Sequence, residues 1–334
     1  MTNLNSKRNN RAPRVPAWHV AAGSVLLAVT LLHSAGAQTI NPGIIDPTNT
    51  YAGKTYSEWS AAAWQYFVSM PTTNNPLIFN PLNPVIPLNT GQSGPVWFLC
   101  GNYPTGGTHV YTNAIPGGIS LFVMITDIES DEADCPNPDT GIPSAQFRAF
   151  AKSEEDTATN MTCTIDGVAI TGLTNVLTSP YRVQSPLFAF TCPAVHNWVY
   201  DYEVLHCYQN SSGTPYTIAR AVTDGVFLMV APLSVGPHLI HTTCAFPFSP
   251  PFVANFTHYL TVKPVALTVK TSARPGNLIL NWPQTPDNYT VQTSPSLSRP
   301  DWQPANLVVT TNSGILQATA PVGTTNQFFR LQLN

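Results

Sequence analysis

Residues 224–244 read DGVFLMVAPLSVGPHLIHTTC, and HYLTV follows at 258–262; this stretch decides the fold class. Phe227, Met229 and Ala231 alternate with Val226, Leu228 and Val230, so both faces of the run are apolar. A strand of that kind belongs inside a sheet rather than at its edge. Pro232 and the Gly236-Pro237 pair stop it and turn the chain. A more weakly alternating strand covers 238–244, and Tyr259, Leu260 and Val262 supply a third run of β-formers. Strand, turn, strand, loop, strand predicts the closing part of a β-sandwich core.

Working outward, the upstream chain offers more strands of the same kind. Val96 to Cys100 is a short continuous apolar run between glycines, and 119–126 reads ISLFVMIT after a Pro116-Gly-Gly118 turn. Asp166-Gly167 is a two-residue hairpin turn between 162–165 and 168–170. Two further strands are expected at 181–190 and 198–207. One amphipathic helix precedes them: Thr55-Tyr-Ser-Glu58 has the form of a capping box, Trp59, Ala62, Ala63, Tyr66, Phe67 and Met70 recur at helical spacing, and Pro71 ends the run. A second, short helix is expected over 144–158. Downstream of Pro264 the texture changes to short, regularly spaced runs such as LILNW (278–282) and FFRLQL (328–333), the pattern of a small second β-sandwich. The expected class is therefore all-β: an extended arm (38–54), a larger β-sandwich with one N-terminal helix (55–263) and a small β-sandwich (264–334).

Composition points to the exterior of the cell. Only 9% of the 334 residues are charged, against roughly 25% in an average soluble protein, and 32 are proline. Lys7, Arg8, Arg11 and Arg14 precede an apolar run at 20–32, and Ala35-Gly-Ala37 supplies small residues before Gln38, so residues 1–37 read as a secretory signal peptide. The expected address is secreted, periplasmic or cell-surface, with no membrane span after cleavage. Setting those four cations aside leaves ten basic against 17 acidic residues, a formal net charge of −7. That balance argues against nucleic acid and anionic membranes as partners. All six cysteines lie beyond residue 37, where an oxidising compartment favours disulfides.

Four motifs, GKTYSEWS (53–60), GQSGPVWFL (91–99), YRVQSPLF (181–188) and DGVFLMVAPL (224–233), together resemble a family of uncharacterised exported bacterial proteins over roughly residues 51–263. The resemblance implies no activity, cofactor or catalytic residue. A cysteine expected in that family near Arg148 is replaced by Phe150, which points Cys135 to Cys163; Cys192 with Cys207 is the other expected pair. Leu280-Asn-Trp-Pro283, Tyr289-Thr-Val-Gln292, Trp302 and Phe328-Phe-Arg-Leu331 resemble a fibronectin-type-III-like domain found at the C-termini of exported proteins of Verrucomicrobia and related bacteria. There it implies a spacer or attachment module, with Trp282 as core anchor.

The chemistry-bearing residues assemble no recognisable machine. The stretch DIESDEADCPNPD (127–139) holds six of the 17 acids and reads first as a solvated loop. Its alternative is a calcium site from Asp127, Glu129, Asp131 and Asp134, without EF-hand spacing. His241 and His258 would face each other if their strands paired in that register and with Asp201 or Glu203 would form a metal or acid–base site, but His238 and His241, three apart, point to opposite faces, so hydrogen-bonded structural histidines are the expected reading. No G-x-S-x-G elbow and no phosphate loop occurs. Two readings follow. One is a secreted or surface β-sandwich protein that binds an extracellular polymer or protein, with Trp97, Trp198 and Trp302 as contacts; the other is an exported hydrolase or carbohydrate-active enzyme with paired carboxylates in the first domain.

Overall fold

A computed structural model describes residues 43–76, 78, 87–99, 106–132, 143–198 and 216–334. Before the first helix, Ile44 bridges Val230, and Ile45 N donates to Met229 O at 2.9 Å. Helix α1 (Tyr56–Val68) begins where its capping box predicts, with Glu58 N donating to Thr55 Oγ1 (3.3 Å) and Thr55 N to Glu58 Oε2 (2.8 Å). These bonds satisfy backbone donors that a helix start otherwise leaves without partners.

Among the described residues ten strands and a second helix follow: β1 (Val96–Leu99), β2 (Gly107–Pro116), β3 (Ser120–Asp131), α2 (Ser144–Glu155), β4 (Thr159–Ile165), β5 (Val168–Ala169), β6 (Arg182–Gln184), β7 (Phe188–Cys192), β8 (Tyr216–Val230), β9 (Gly236–Phe246) and β10 (Phe252–Lys263). They build two sheets. The first has the order β1-β3-β8-β6, with β7 also on β8; the second runs β2-β10-β9-β4-β5. Because β2 crosses to the second sheet, β1 and β3 become parallel neighbours, and β2 itself lies parallel to β10. The Asp166-Gly167 turn joins β4 to β5 with both residues at positive φ, 52° and 79°, which a two-residue hairpin of the expected kind requires.

At the centre of the first sheet, β3 with residues 221–230 of β8, both faces are covered. Phe122 pairs with Met229 and Met124 with Phe227 across β3 and β8, so these four share one face. Under α1, Phe227 stacks on Phe122 at 5.1 Å, and Tyr56 and Phe98 meet Phe122 edge-on. The buried Tyr56 hydroxyl donates to Ile45 O (2.6 Å) and accepts from Met229 N (2.9 Å), tying arm, helix and central strand together. Leu121, Val123, Leu228 and Val230 point the opposite way and join Ile240, Leu260 and Val262 of the second sheet in one apolar core. A bulge interrupts β3 between Met124 and Thr126, opposite Phe227 and Val226, just before Asp127 pairs with Gly225. A Cβ at Gly225 would lie 2.4 Å from Thr126 O, so the bulged strand approaches as closely as it does only because no side chain stands there.

Seven short strands complete the chain: β11 (Thr268–Thr271), β12 (Asn277–Pro283), β13 (Tyr289–Ser294), β14 (Gln303–Pro304), β15 (Val309–Asn312), β16 (Ile315–Pro321) and β17 (Phe328–Leu333). They form a four-stranded sheet, β11-β12-β16-β15, and a three-stranded one, β14-β13-β17. Leu280, Trp282, Val291, Ala318 and Ala320 make a core separate from the larger one, with Trp282 buried as expected. Val235 N donates to Asp287 Oδ2 at 3.0 Å, and a Cβ on Gly118 would strike Pro283, so the β12–β13 loop sits directly on the turns of the larger sandwich.

Candidate functional site

The acidic stretch is not a loop at its start. Asp127, Glu129 and Asp131 belong to β3, at alternate positions on one face, while Asp134 lies outside the described residues. Asp127 accepts from Trp64 Nε1 through Oδ2 and from the Thr223 hydroxyl through Oδ1, so neighbours of the fold already occupy both oxygens. Burial pushes its carboxyl up to about 8 against those two hydrogen bonds, which pull it down. Among the described residues no three His, Cys, Asp or Glu side chains converge as a metal site. The expected solvated loop therefore gives way to a strand. Its period of two aims these acids at the α1 side of the sheet.

On the other face, Glu155 at the end of α2 is fully buried and accepts from the Thr126 hydroxyl, with Oε2 left without a partner. Burial holds its carboxyl well above the usual range. Nearby, Arg182 bridges Asp224 (2.7 Å) and Asp156 (2.6 Å), Gln184 donates to Asp224 Oδ2, and Arg148 caps Gln184 Oε1. The 181–188 and 224–233 motifs thus meet as β6 and β8, and their polar residues lock α2 to the sheet. The other two motifs are used in the same way. Trp59 Nε1 donates to Tyr51 O, and Gln92 exchanges two bonds with the Phe98 backbone.

Among the described residues the histidines do not form a cluster. Pairing of β9 with β10 sets His258 opposite Ile240 and His241 opposite Thr257, one position away from the register that would have faced them. A shift of one residue turns side chains to opposite faces, so His258 points inward, stacked on Tyr111 at 4.7 Å, and His241 points outward to Asn255 at 2.9 Å. His238 spans Asp166 Oδ2 (2.7 Å) and Ser234 O (2.9 Å), pinning the β4–β5 hairpin to β9. Asp201 and Glu203 lie outside the described residues.

Each expected disulfide, Cys135–Cys163 and Cys192–Cys207, includes a cysteine outside the described residues. Cys163 and Cys244 are buried thiols without a bridge, and no disulfide links Cys192 to another described cysteine; Cys100, Cys135 and Cys207 lie outside the described residues. Cys163 stands opposite Thr242 and faces the apolar core, where burial pushes its thiol, like that of Cys244, up to about 12. Thiols held protonated in this way act as small core hydrophobes. Of the three tryptophans expected as contacts, Trp97 and Trp198 are core residues, 8% and 4% exposed, Trp198 packing edge-on against Trp64. Trp302 alone is half-exposed, with the Arg330 guanidinium 4.5 Å over its ring.

What the residues do build is an open face. On the outer side of the second sheet the strand registers align side chains in cross-strand rows: Thr108, Asn255, Thr243, Thr162; then Val110, Thr257, His241, Thr164, Ala169; then Thr112, Tyr259, Leu239. All are exposed or half-exposed. None is Lys, Arg, Asp or Glu. The polar members are already held by one another, Thr162 to Thr243 at 2.6 Å and Asn255 to His241 at 2.9 Å. Sequence reasoning missed this face, although alternation in 253–261 (Val, Asn, Thr, Tyr, Thr outward) signals its central strand. No helix among the described residues is long and apolar enough to cross a membrane. No protein-family model and no curated protein matches the chain.

Proposed function

We propose that the chain is an exported, non-catalytic β-sandwich protein whose contact surface is the outer face of its second sheet. The observation that carries this reading is the contrast in coverage: the centre of the first sheet, β3 with residues 221–230 of β8, is shielded on both sides, whereas the second sheet leaves a multi-stranded, charge-free face open to solvent. Asp127 and Glu155 are the carboxyls that burial holds protonated above the usual range, and so the candidates an exported hydrolase would draw on among the described residues. Glu155 is fully enclosed and Asp127 is engaged by Trp64 and Thr223, which favours binding over hydrolysis. In this reading the small C-terminal sandwich is a fibronectin-type-III-like spacer, and an extracellular polymer or protein is the partner.

Fractionation tests it. The exported chain should be retained with the extracellular matrix or envelope of its own cells, and Thr257→Lys, which sets a charge in the middle row, should release it to the medium. Equal distribution of wild type and variant would end the proposal.

A further inference from the structure

We propose that this face takes an uncharged polysaccharide, an assignment that rests on its being the contact surface. Three features support that chemistry. First, the rows contain no formal charge, and the nearest ones on the sheet, Lys263 and Asp166, sit at its ends. An anionic or cationic polymer would gain nothing there, while a neutral hydroxylated chain loses no ion hydration on docking. Second, apolar exposure is dispersed. Val110, Val253 and Tyr259 (55%, 56% and 51% exposed) are separated by threonines, unlike the contiguous apolar centre that a protein interface requires.

Third, the spacing repeats. Neighbouring strands lie about 4.8 Å apart, so a row offers one side chain per step of about that length, and the next row follows about 6.8 Å along the strands. That step is comparable with one sugar unit of an extended glycan. A chain lying along the first row, across β2, β10, β9 and β4, meets a hydroxyl or amide at each unit. Threonine hydroxyls suit this role because each both donates and accepts, matching sugar hydroxyls whichever way these point. The ring of Tyr259 supplies the flat apolar surface on which a pyranose face stacks.

The test uses the full exported chain with microcrystalline cellulose and chitin as neutral probes and polygalacturonate as an anionic one. The expected result is retention on a neutral polymer that high salt leaves unchanged. Tyr259→Ala should weaken it about tenfold, and Thr257→Lys should abolish it, with both variants unfolding at the wild-type denaturant midpoint. Retention on polygalacturonate alone, equal retention of all three proteins, or no retention on any polymer would overturn the assignment. If no polymer is bound while Thr257→Lys still releases the chain from its own cells, the face remains the contact surface and its partner is a protein. If that release fails too, the contact-surface reading falls with it.

Discussion

Strands β8 and β10 are both long, central and rich in β-formers, yet one is an interior element and the other a boundary. From Ala221 to Val230, β8 is buried at every position, and its polar members Thr223 and Asp224 are bonded to Asp127 and Arg182. From Val253 to Lys263, β10 alternates without exception between buried and accessible. The difference lies in what stands on the far side of each sheet. A helix covers β8, so every side chain there answers to packing; water covers the outer side of β10, so those side chains are free to answer to a partner.

That contrast yields a graded set of expectations. Phe227→Ala, which empties the space beneath α1, should cost about 3–5 kcal/mol in denaturant unfolding; a cost near zero would mean that the helix does not seal this face. Arg182→Ala leaves Asp224 without its ion partner between α2 and β6, and should cost about 3 kcal/mol. Restoring the charge as Arg182→Lys should recover only part of it, since one ammonium cannot reach both Asp224 and Asp156 as the guanidinium does.

Asp127 sharpens the comparison through pH. The folded chain keeps its proton up to about pH 8, whereas the unfolded chain releases it near the ordinary aspartate value of about 4. Between those limits the folded state binds more protons. Stability is therefore full below the window and falls as pH rises through it, and Glu155 adds to the same trend. Asp127→Asn mimics the protonated acid toward Thr223 and Trp64, and should remove about 1 kcal/mol of the loss between pH 6 and pH 7. An unchanged slope in urea midpoints would show that the carboxyl titrates normally. The smallest effect belongs to β10: Tyr259→Ala and Thr257→Lys should each change stability by less than about 0.5 kcal/mol. A large cost there would reveal that the face is structural after all.

Much of the scaffold was legible in the residues. The two-faced apolar run at 226–230, the Thr55–Glu58 cap and the Asp166-Gly167 turn all rest on neighbours in sequence, where local sterics and hydrogen bonding decide the outcome. Strand β2 was not legible. His109, Tyr111 and Asn113 on one side and Thr108, Val110 and Thr112 on the other blur its alternation, because its inner face packs aromatic and polar groups rather than aliphatic ones. Nor was the fate of Trp97 and Trp198 legible, since an aromatic residue reads alike in a core and on a binding surface.

By itself the sequence determined that this is an all-β chain with one capped helix and a small second sandwich, because periodicity and turn chemistry act over a few residues. Only the tertiary structure decided which sheet face is sealed and which is open. It also decided that His241 and His258 part company, that Cys163 and Cys244 stay unbridged, and that threonines from four strands fall into rows. Register and layering set these outcomes. Both are contacts between residues distant along the chain, and a shift of a single residue in the β9–β10 pairing would have turned His241 and the outward threonines to the other face.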